Sequence, residues 1–247
     1  MRNLLGKKVS YKSKIIDFCT ENRVSTTEVA DALGKSGVLP KVTALNPNQY
    51  RVGPVRAIFT AHNSNYAVHE QIREVKKGEV VIIFAHACED RAIIGDLVSK
   101  YILLYKGAAA LVVQGLVRDA ATLKRQNYSV WAEGVSPLGC FNDPAKPYPE
   151  DLEKQMRATY EGGIAICDDG GVTVIPADRL NEEMLTQLKL IEMQEDIWFF
   201  CLDTLKWDTK KIVCDKAYLT EQSLLSSTHI EQLSELSKAL DQGKTSE

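Results

Sequence analysis

The chain is predicted to be an α/β protein, with one α/β domain over residues 1–180. A helical extension over 181–247 is expected to pack on that domain or on a neighbouring subunit. Three observations lead there. Two near-continuous apolar runs, VVIIFAHA (80–87) and AAALVVQG (108–115), read as strands buried on both faces. Helix-length segments separate them from each other and from a third strand, giving the alternating rhythm of a parallel sheet covered by helices. Beyond residue 180 the pattern turns helical, and no convincing linker divides the chain.

The elements follow in order. VSTTEVADALGKSGVL (24–39) predicts a helix, because Ser25 and Glu28 have capping-box spacing and Gly37 supplies a stop. VGPVRAIFTA (52–61) is strand-like. NYAVHEQIREVKKGE (65–79) predicts a helix with Val68, Ile72 and Val75 on one face, ending before Gly78. The strand at 80–87 comes next, then a helix over 91–107 with a glycine stop, then the strand at 108–115. DAATLKRQN (119–127) predicts a short helix and SVWAEG (129–134) a third strand. Prolines punctuate a loop from 136 to 150, and GGIAICDDGGVTVIPADRL (162–180) alternates around Asp168-Asp169-Gly170-Gly171 as a hairpin should. Residues 181–205 look helical. A last helix carries apolar residues at Ile230, Leu233, Leu236 and Leu240, a stripe suited equally to self-packing and to a partner subunit.

Composition removes several function classes. A net charge of −3 offers no electrostatic footprint for nucleic acid or an anionic membrane. The longest apolar run is too short to span a bilayer, and the basic start lacks the apolar core of a signal peptide. Six scattered cysteines without a C-x-x-C pair predict reduced thiols in a cytoplasmic protein. Histidines 62, 69, 86 and 229 form no i, i+4 pair, so a helical zinc site is not expected. GGIAICDDGG matches neither phosphate-binding glycine pattern.

Ligands of a parallel α/β sheet favour the carboxyl ends of the strands. Two such ends carry charge here: the strand at 80–87 leads to Glu89 and Asp90 and, after a small-residue stretch, to Gly95-Asp96, and the strand at 108–114 leads to Arg118-Asp119. Asp119 has two readings: an N-cap for the helix that follows, worth about 1 kcal/mol, or a carboxylate for a hard divalent cation. Arg118 either joins a surface ion pair or recognises a carboxylate bidentately. Backbone N–H groups at Gly95–Val98 would serve a second anionic oxygen. Together these groups suit a 2-oxo acid whose carboxylate and keto oxygens meet a Lewis acid.

Several stretches resemble the RraA-like family, which includes ribonuclease-activity regulators and metal-dependent aldolases of 4-hydroxy-4-methyl-2-oxoglutarate and 4-carboxy-4-hydroxy-2-oxoadipate. They are STTEVADAL (25–33), NYAVHEQIREVKKGEVVIIF (65–84), AIIGDLVSKY (92–101), GAAALVVQGLVRD (107–119), WAEGVSPLG (131–139) and GGIAICDDGGVTVIP (162–176). The resemblance implies a swivelling β/β/α-type fold, a homotrimer or hexamer, and sites near subunit interfaces. It implies Mg²⁺ or Mn²⁺ at Asp119, in part through water. Arg118 would bind substrate and polarise a water, and Gly95, Asp96, Leu97 and Val98 would meet the substrate carboxylate. Asp96 replaces a commonly glutamate position, with 21 residues before Arg118, one more than the aldolase spacing; the extra residue is expected near Lys106. A glutamate from a neighbouring subunit's C-terminal helix would correspond to Glu195, with Glu192 as the other candidate. The implied activity is retro-aldol cleavage to pyruvate through its enolate, with oxaloacetate decarboxylation beside it. The alternative is a non-catalytic regulator that binds a ribonuclease or another protein.

Overall fold

A computed structural model describes residues 10–244, with side chains described except at 236, 237 and 239–244. The described residues divide into two compact units, one ending at Asn181 and the other starting at Glu182.

The first unit opens with helix α1 (Tyr11–Asn22), which the sequence pattern does not signal; only Ile15 and Cys19 of it are buried. In helix α2 (Thr26–Ala32) the capping box forms, with the Glu28 N–H donating to Ser25 Oγ at 3.1 Å and the Ser25 N–H to Glu28 Oε2 at 2.6 Å. This helix ends well before Gly37, because Gly34 already turns left-handed at φ +71°. Strands β1 (Thr43–Ala44) and β2 (Arg51–Ala61) follow. Helix α3 (Tyr66–Gln71) is shorter than expected and passes into a 3-10 turn over Ile72–Glu74. Val68, Ile72 and Val75 are buried all the same, since Ile72 and Val75 stand one 3-10 turn apart.

After β3 (Val80–His86), the segment expected to be one helix over 91–107 begins as a strand instead. It forms β4 (Ala92–Ile94), then α4 (Asp96–Lys100), then a π-turn over Tyr101–Tyr105. The π-turn is closed by the Lys106 N–H donating to the Tyr101 carbonyl at 2.9 Å. Its i→i+5 bond takes up one residue more than an α-turn, next to the position where an extra residue is expected. Then come β5 (Ala110–Val117), α5 (Ala120–Arg125), β6 (Val130–Val135), α6 (Glu150–Tyr160), β7 (Ile164–Asp168) and β8 (Gly171–Ile175). Helix α6 is another element without an apolar stripe to announce it, as none of its residues is buried.

Strands β2, β3, β5 and β6 run parallel, in the order β6-β5-β3-β2, and β1 joins β6 antiparallel. Strand β2 changes partner along its length. Val55–Ala61 pairs with β3, whereas Arg51–Pro54 pairs antiparallel with β7 and so attaches the β7–β8 hairpin. Strand β1 lies close to β8, and the sheet nearly closes on itself. Alternate residues of β3 feed two cores: Val81 and Ile83 face Val68, Ile102 and Leu123, while Val80, Ile82 and Phe84 face Trp131, Ala165 and Val174. Each such fully buried aliphatic side chain contributes about 1.5–3 kcal/mol.

The second unit contains helix α7 (Glu182–Asp203) and helix α8 (Ser227–Lys244), with its own core of Ile197, Cys201, Ile212, Tyr218, Leu225 and Leu233. Of the expected stripe on α8, Leu233 is buried and Ile230 is exposed, while the side chains of Leu236 and Leu240 lie outside the described residues. Among the described residues, no helix is long and apolar enough to cross a membrane.

Candidate functional site

The site arises where β5 changes neighbours. Strand β3 pairs with β5 up to Phe84 opposite Gln114, and β4 takes over with Ala92 opposite Leu116 and Ile94 opposite Val117. Gly115 sits at the handover with φ +153°; a Cβ there would lie 3.2 Å from Ala85 Cβ and 3.3 Å from Ile93 Cγ1. The Arg118 N–H then donates to the Ile94 carbonyl at 2.9 Å. Two strand ends therefore finish side by side, with Gly95-Asp96 on one and Arg118-Asp119 on the other.

Asp119 immediately precedes α5, at its N-cap position, in a left-handed conformation (φ +58°), which aspartate tolerates better than most residues. Its carbonyl accepts the Thr122 and Leu123 N–H groups at 2.9 and 3.0 Å, but its carboxylate makes no capping bond to α5. The helix-cap reading of the side chain is thereby corrected. Oδ2 turns away and accepts the Asp96 N–H at 3.1 Å, at the start of α4. Arg118 Nε lies 3.9 Å from the same oxygen, and both side chains are about half exposed, at 50 % and 45 %. An ion pair that long and that wet adds little to stability.

Two glycines shape the slot around Arg118. A Cβ on Gly95 would fall 2.1 Å from Asp119 Oδ2 and 2.9 Å from Arg118 Cγ. A Cβ on Gly139 would fall 2.4 Å from Arg118 Nη1 and 3.2 Å from Cζ. Any other residue at either position would push the charged groups aside.

These groups open on a cavity of about 290 Å³, which brings Gly95, Asp96, Leu97, Val98, Arg118 and Asp119 together. Among the described residues the ion pair of Arg118 is with Asp119, not Asp96. Glu192 and Glu195 belong to the second unit, on α7, where Glu195 borders an apolar groove with Trp198, Phe199 and Leu202.

Three residues of the cavity region escape the sequence pattern. Asn65, the N-cap residue of α3, and His69, within that helix, both line the cavity, and their i, i+4 spacing is the signal that could have paired them. Gly139 is the third. Asn65 Nδ2 donates to the Ile93 carbonyl at 3.0 Å, which fixes the amide orientation and leaves Oδ1 buried without a partner. An orphaned acceptor of this kind costs about 1–3 kcal/mol until a donor reaches it.

Among the described residues, no group of three or more His, Cys, Asp or Glu is arranged to hold a metal, so a closed zinc cage is not present there. The Asp119 carboxylate instead offers a half-exposed oxygen donor beside an open cavity. That chemistry suits a hard divalent cation that retains most of its waters.

Comparison with known proteins agrees with this architecture. Residues 26–174 match the RraA-like family, described as Aldolase/RraA. A Halalkalibacterium halodurans protein, provisionally named 4-hydroxy-4-methyl-2-oxoglutarate aldolase, is 30% identical over 190 residues, covering 70% of this chain and 83% of its own. An uncharacterised Pseudomonas syringae protein shares the fold with a TM-score of 0.63 at 20% identity, covering 80% of this chain and 93% of its own. Streptomyces coelicolor RraAS2, described as an unusual member of the RNase ES inhibitor RraA family, aligns with a TM-score of 0.60 at 21% identity over 74% of this chain and 96% of its own.

Proposed function

Because the chain belongs to the RraA-like family, we propose that it is a divalent-metal-dependent lyase that cleaves a 4-hydroxy-2-oxo diacid to pyruvate and a second 2-oxo acid. The observation that carries this reading is the orientation of Asp119, whose carboxylate leaves its own helix and faces the cavity beside Arg118. The aldolase name of the H. halodurans relative supports the substrate class.

Each residue then has a task. The Arg118 guanidinium, confined between Gly95 and Gly139, binds a substrate carboxylate with two parallel N–H donors. The N–H groups of Leu97 and Val98, opening α4, face the same anionic end of the substrate. Asp119 would hold Mg²⁺ or Mn²⁺, which when bound supplies Lewis-acid polarisation of the 2-oxo group. A water ordered by Arg118, with Asp96 at the cavity rim, takes the 4-hydroxyl proton as the C3–C4 bond breaks, and C3 of the resulting enolate is reprotonated to pyruvate. We assign Glu195 the same proton-handling role from a neighbouring copy in a homotrimer or hexamer. Oxaloacetate loses carbon dioxide through the same enolate.

The test is pyruvate release from 4-hydroxy-4-methyl-2-oxoglutarate and from oxaloacetate, with Mg²⁺ or Mn²⁺ and with EDTA. Metal-dependent, EDTA-sensitive turnover is expected. No metal-dependent pyruvate from either acid would overturn the lyase reading and leave the regulator class.

A further inference from the structure

The two walls of the Arg118 slot are not equally firm. On one side Gly95 joins β4 to α4, and its carbonyl accepts the Ser99 N–H at 3.1 Å and the Ser99 hydroxyl at 2.8 Å. On the other side Gly139 belongs to a segment outside strands β1–β8, tied by isolated bridges of Ala92 with Gly139 and Ser64 with Phe141. The Ala92 N–H donates to the Leu138 carbonyl at 2.7 Å, and the Cys140 N–H to the Ala92 carbonyl at 3.0 Å. The Phe141 N–H donates to the Asn63 carbonyl at 2.8 Å, and the Asn65 N–H to the Phe141 carbonyl at 3.0 Å. Segments held by so few ladder bonds open locally more easily than a sheet interior.

The fastening on Gly139 itself comes from Arg91. This residue ends the turn after β3, where its N–H donates to the Cys88 carbonyl at 3.0 Å. Its Nη1 donates to the Gly139 carbonyl at 2.8 Å, and its Cζ stands 4.4 Å from the centroid of the Phe141 ring. One planar group makes both contacts, the carbonyl taking an edge of the guanidinium and the ring its face. A lysine ammonium cannot offer that pair of geometries at once. Glu89 and Asp90 directly precede Arg91, yet among the described residues its guanidinium forms no ion pair. Gly139 is therefore touched by two guanidinium groups, Arg91 at its carbonyl and Arg118 against its Cα.

We propose that Arg91 is a positioning residue for Arg118: it clamps Gly139 and Phe141, so that the Arg118 guanidinium keeps a fixed backing in the slot. Without the clamp the Gly139 wall moves, and Arg118 spreads over more orientations. A guanidinium that recognises a carboxylate by two parallel N–H bonds loses most from such spreading, because both bonds need one orientation. The carboxylate is bound before and during bond cleavage alike, so the loss falls on KM more than on kcat. That Arg118 receives a substrate carboxylate rests on the lyase reading; the clamp on its wall does not.

The test compares the full-length chain with Arg91→Lys, which keeps the charge, and Arg91→Gln, which removes it. In both variants the Cys140 and Phe141 amides should lose about tenfold or more of their hydrogen-exchange protection, with β3 and β5 unchanged. Phenylglyoxal labelling of Arg118, followed by peptide mapping, should quicken several-fold in both. Neither readout needs turnover, so they decide the clamp even if no pyruvate is released and the lyase reading falls. Where pyruvate is released, KM should rise about fivefold with kcat within about twofold of wild type. Unchanged exchange at Cys140 and Phe141, or unchanged labelling of Arg118, would overturn the proposal. So would exchange rising equally across β3 and β5, which marks a general stability role, or wild-type behaviour of Arg91→Lys, which assigns the effect to charge alone.

Discussion

Two clefts in the first unit begin from the same ingredients and end differently. The larger, about 360 Å³, is lined by Arg23, Thr26, Asn48, Asp168 and Asp169; the smaller, about 290 Å³, holds Arg118 and Asp119. Each places aspartate beside arginine near the start of a helix. In the larger cleft, Asp168 accepts the Thr26 N–H at 2.7 Å, the Thr26 hydroxyl at 2.7 Å and the Gly170 N–H at 2.8 Å. Asp169 accepts the Asn48 N–H on both oxygens, and Arg23 rests over the Tyr50 ring. These groups are consumed in tying α1 and α2 to the hairpin. In the smaller cleft Asp119 takes one 3.1 Å bond, Arg118 pairs at 3.9 Å, and Asn65 Oδ1 has no partner. Volume does not separate a joint from a site; the extent of hydrogen-bond satisfaction does.

That contrast can be broken by substitution. The largest effect is expected from Asp119→Ala: at least a hundredfold loss of metal-dependent pyruvate release, equal to about 2.7 kcal/mol of barrier, beside a loss of about 1–2 kcal/mol in urea unfolding because alanine is strained at the left-handed φ of this position. A loss of stability with turnover intact would make Asp119 a structural residue like Asp168. The mirror experiment is Asp168→Ala, for which about 2–3 kcal/mol of stability should disappear in equilibrium unfolding, since charge-assisted bonds to α2 and to the turn are lost together. Its folded fraction should keep kcat.

Gly139→Ala sharpens the comparison from the backbone side. Its Cβ would displace the Arg118 guanidinium, and kcat/KM should fall about tenfold or more, with circular dichroism unaltered. The smallest effect belongs to Ser25→Ala, which removes one half of a capping box at the edge of the larger cleft. It should cost about 1 kcal/mol in unfolding free energy and leave turnover untouched.

Much of this was legible in residue order. The runs at 80–87 and 108–115 became β3 and β5 because a strand buried on both faces must be apolar at every position. The capping box formed because its four residues contain both partners. The Asp169-Gly170 turn closed the hairpin for the same local reason. Helices α1 and α6 were not legible, as each is anchored by few buried side chains and neither presents a continuous stripe. Pairing Ala92–Ile94 with β5 was equally hidden. Three apolar residues beside a helical pattern extend that helix unless a strand edge is open nearby, and only the shortened β3–β5 ladder opens one.

The sequence alone therefore determined the two central buried strands, Asp96, Arg118 and Asp119 as candidate residues, and which family the chain resembles. Tertiary structure decided the rest: that the Asp119 carboxylate serves α4 rather than α5, and that Gly139 backs Arg118. The reason is physical. Periodicity and capping act between residues a turn apart, whereas the direction of a carboxylate and the backing of a guanidinium are set by chain segments that only the folded sheet brings within contact distance.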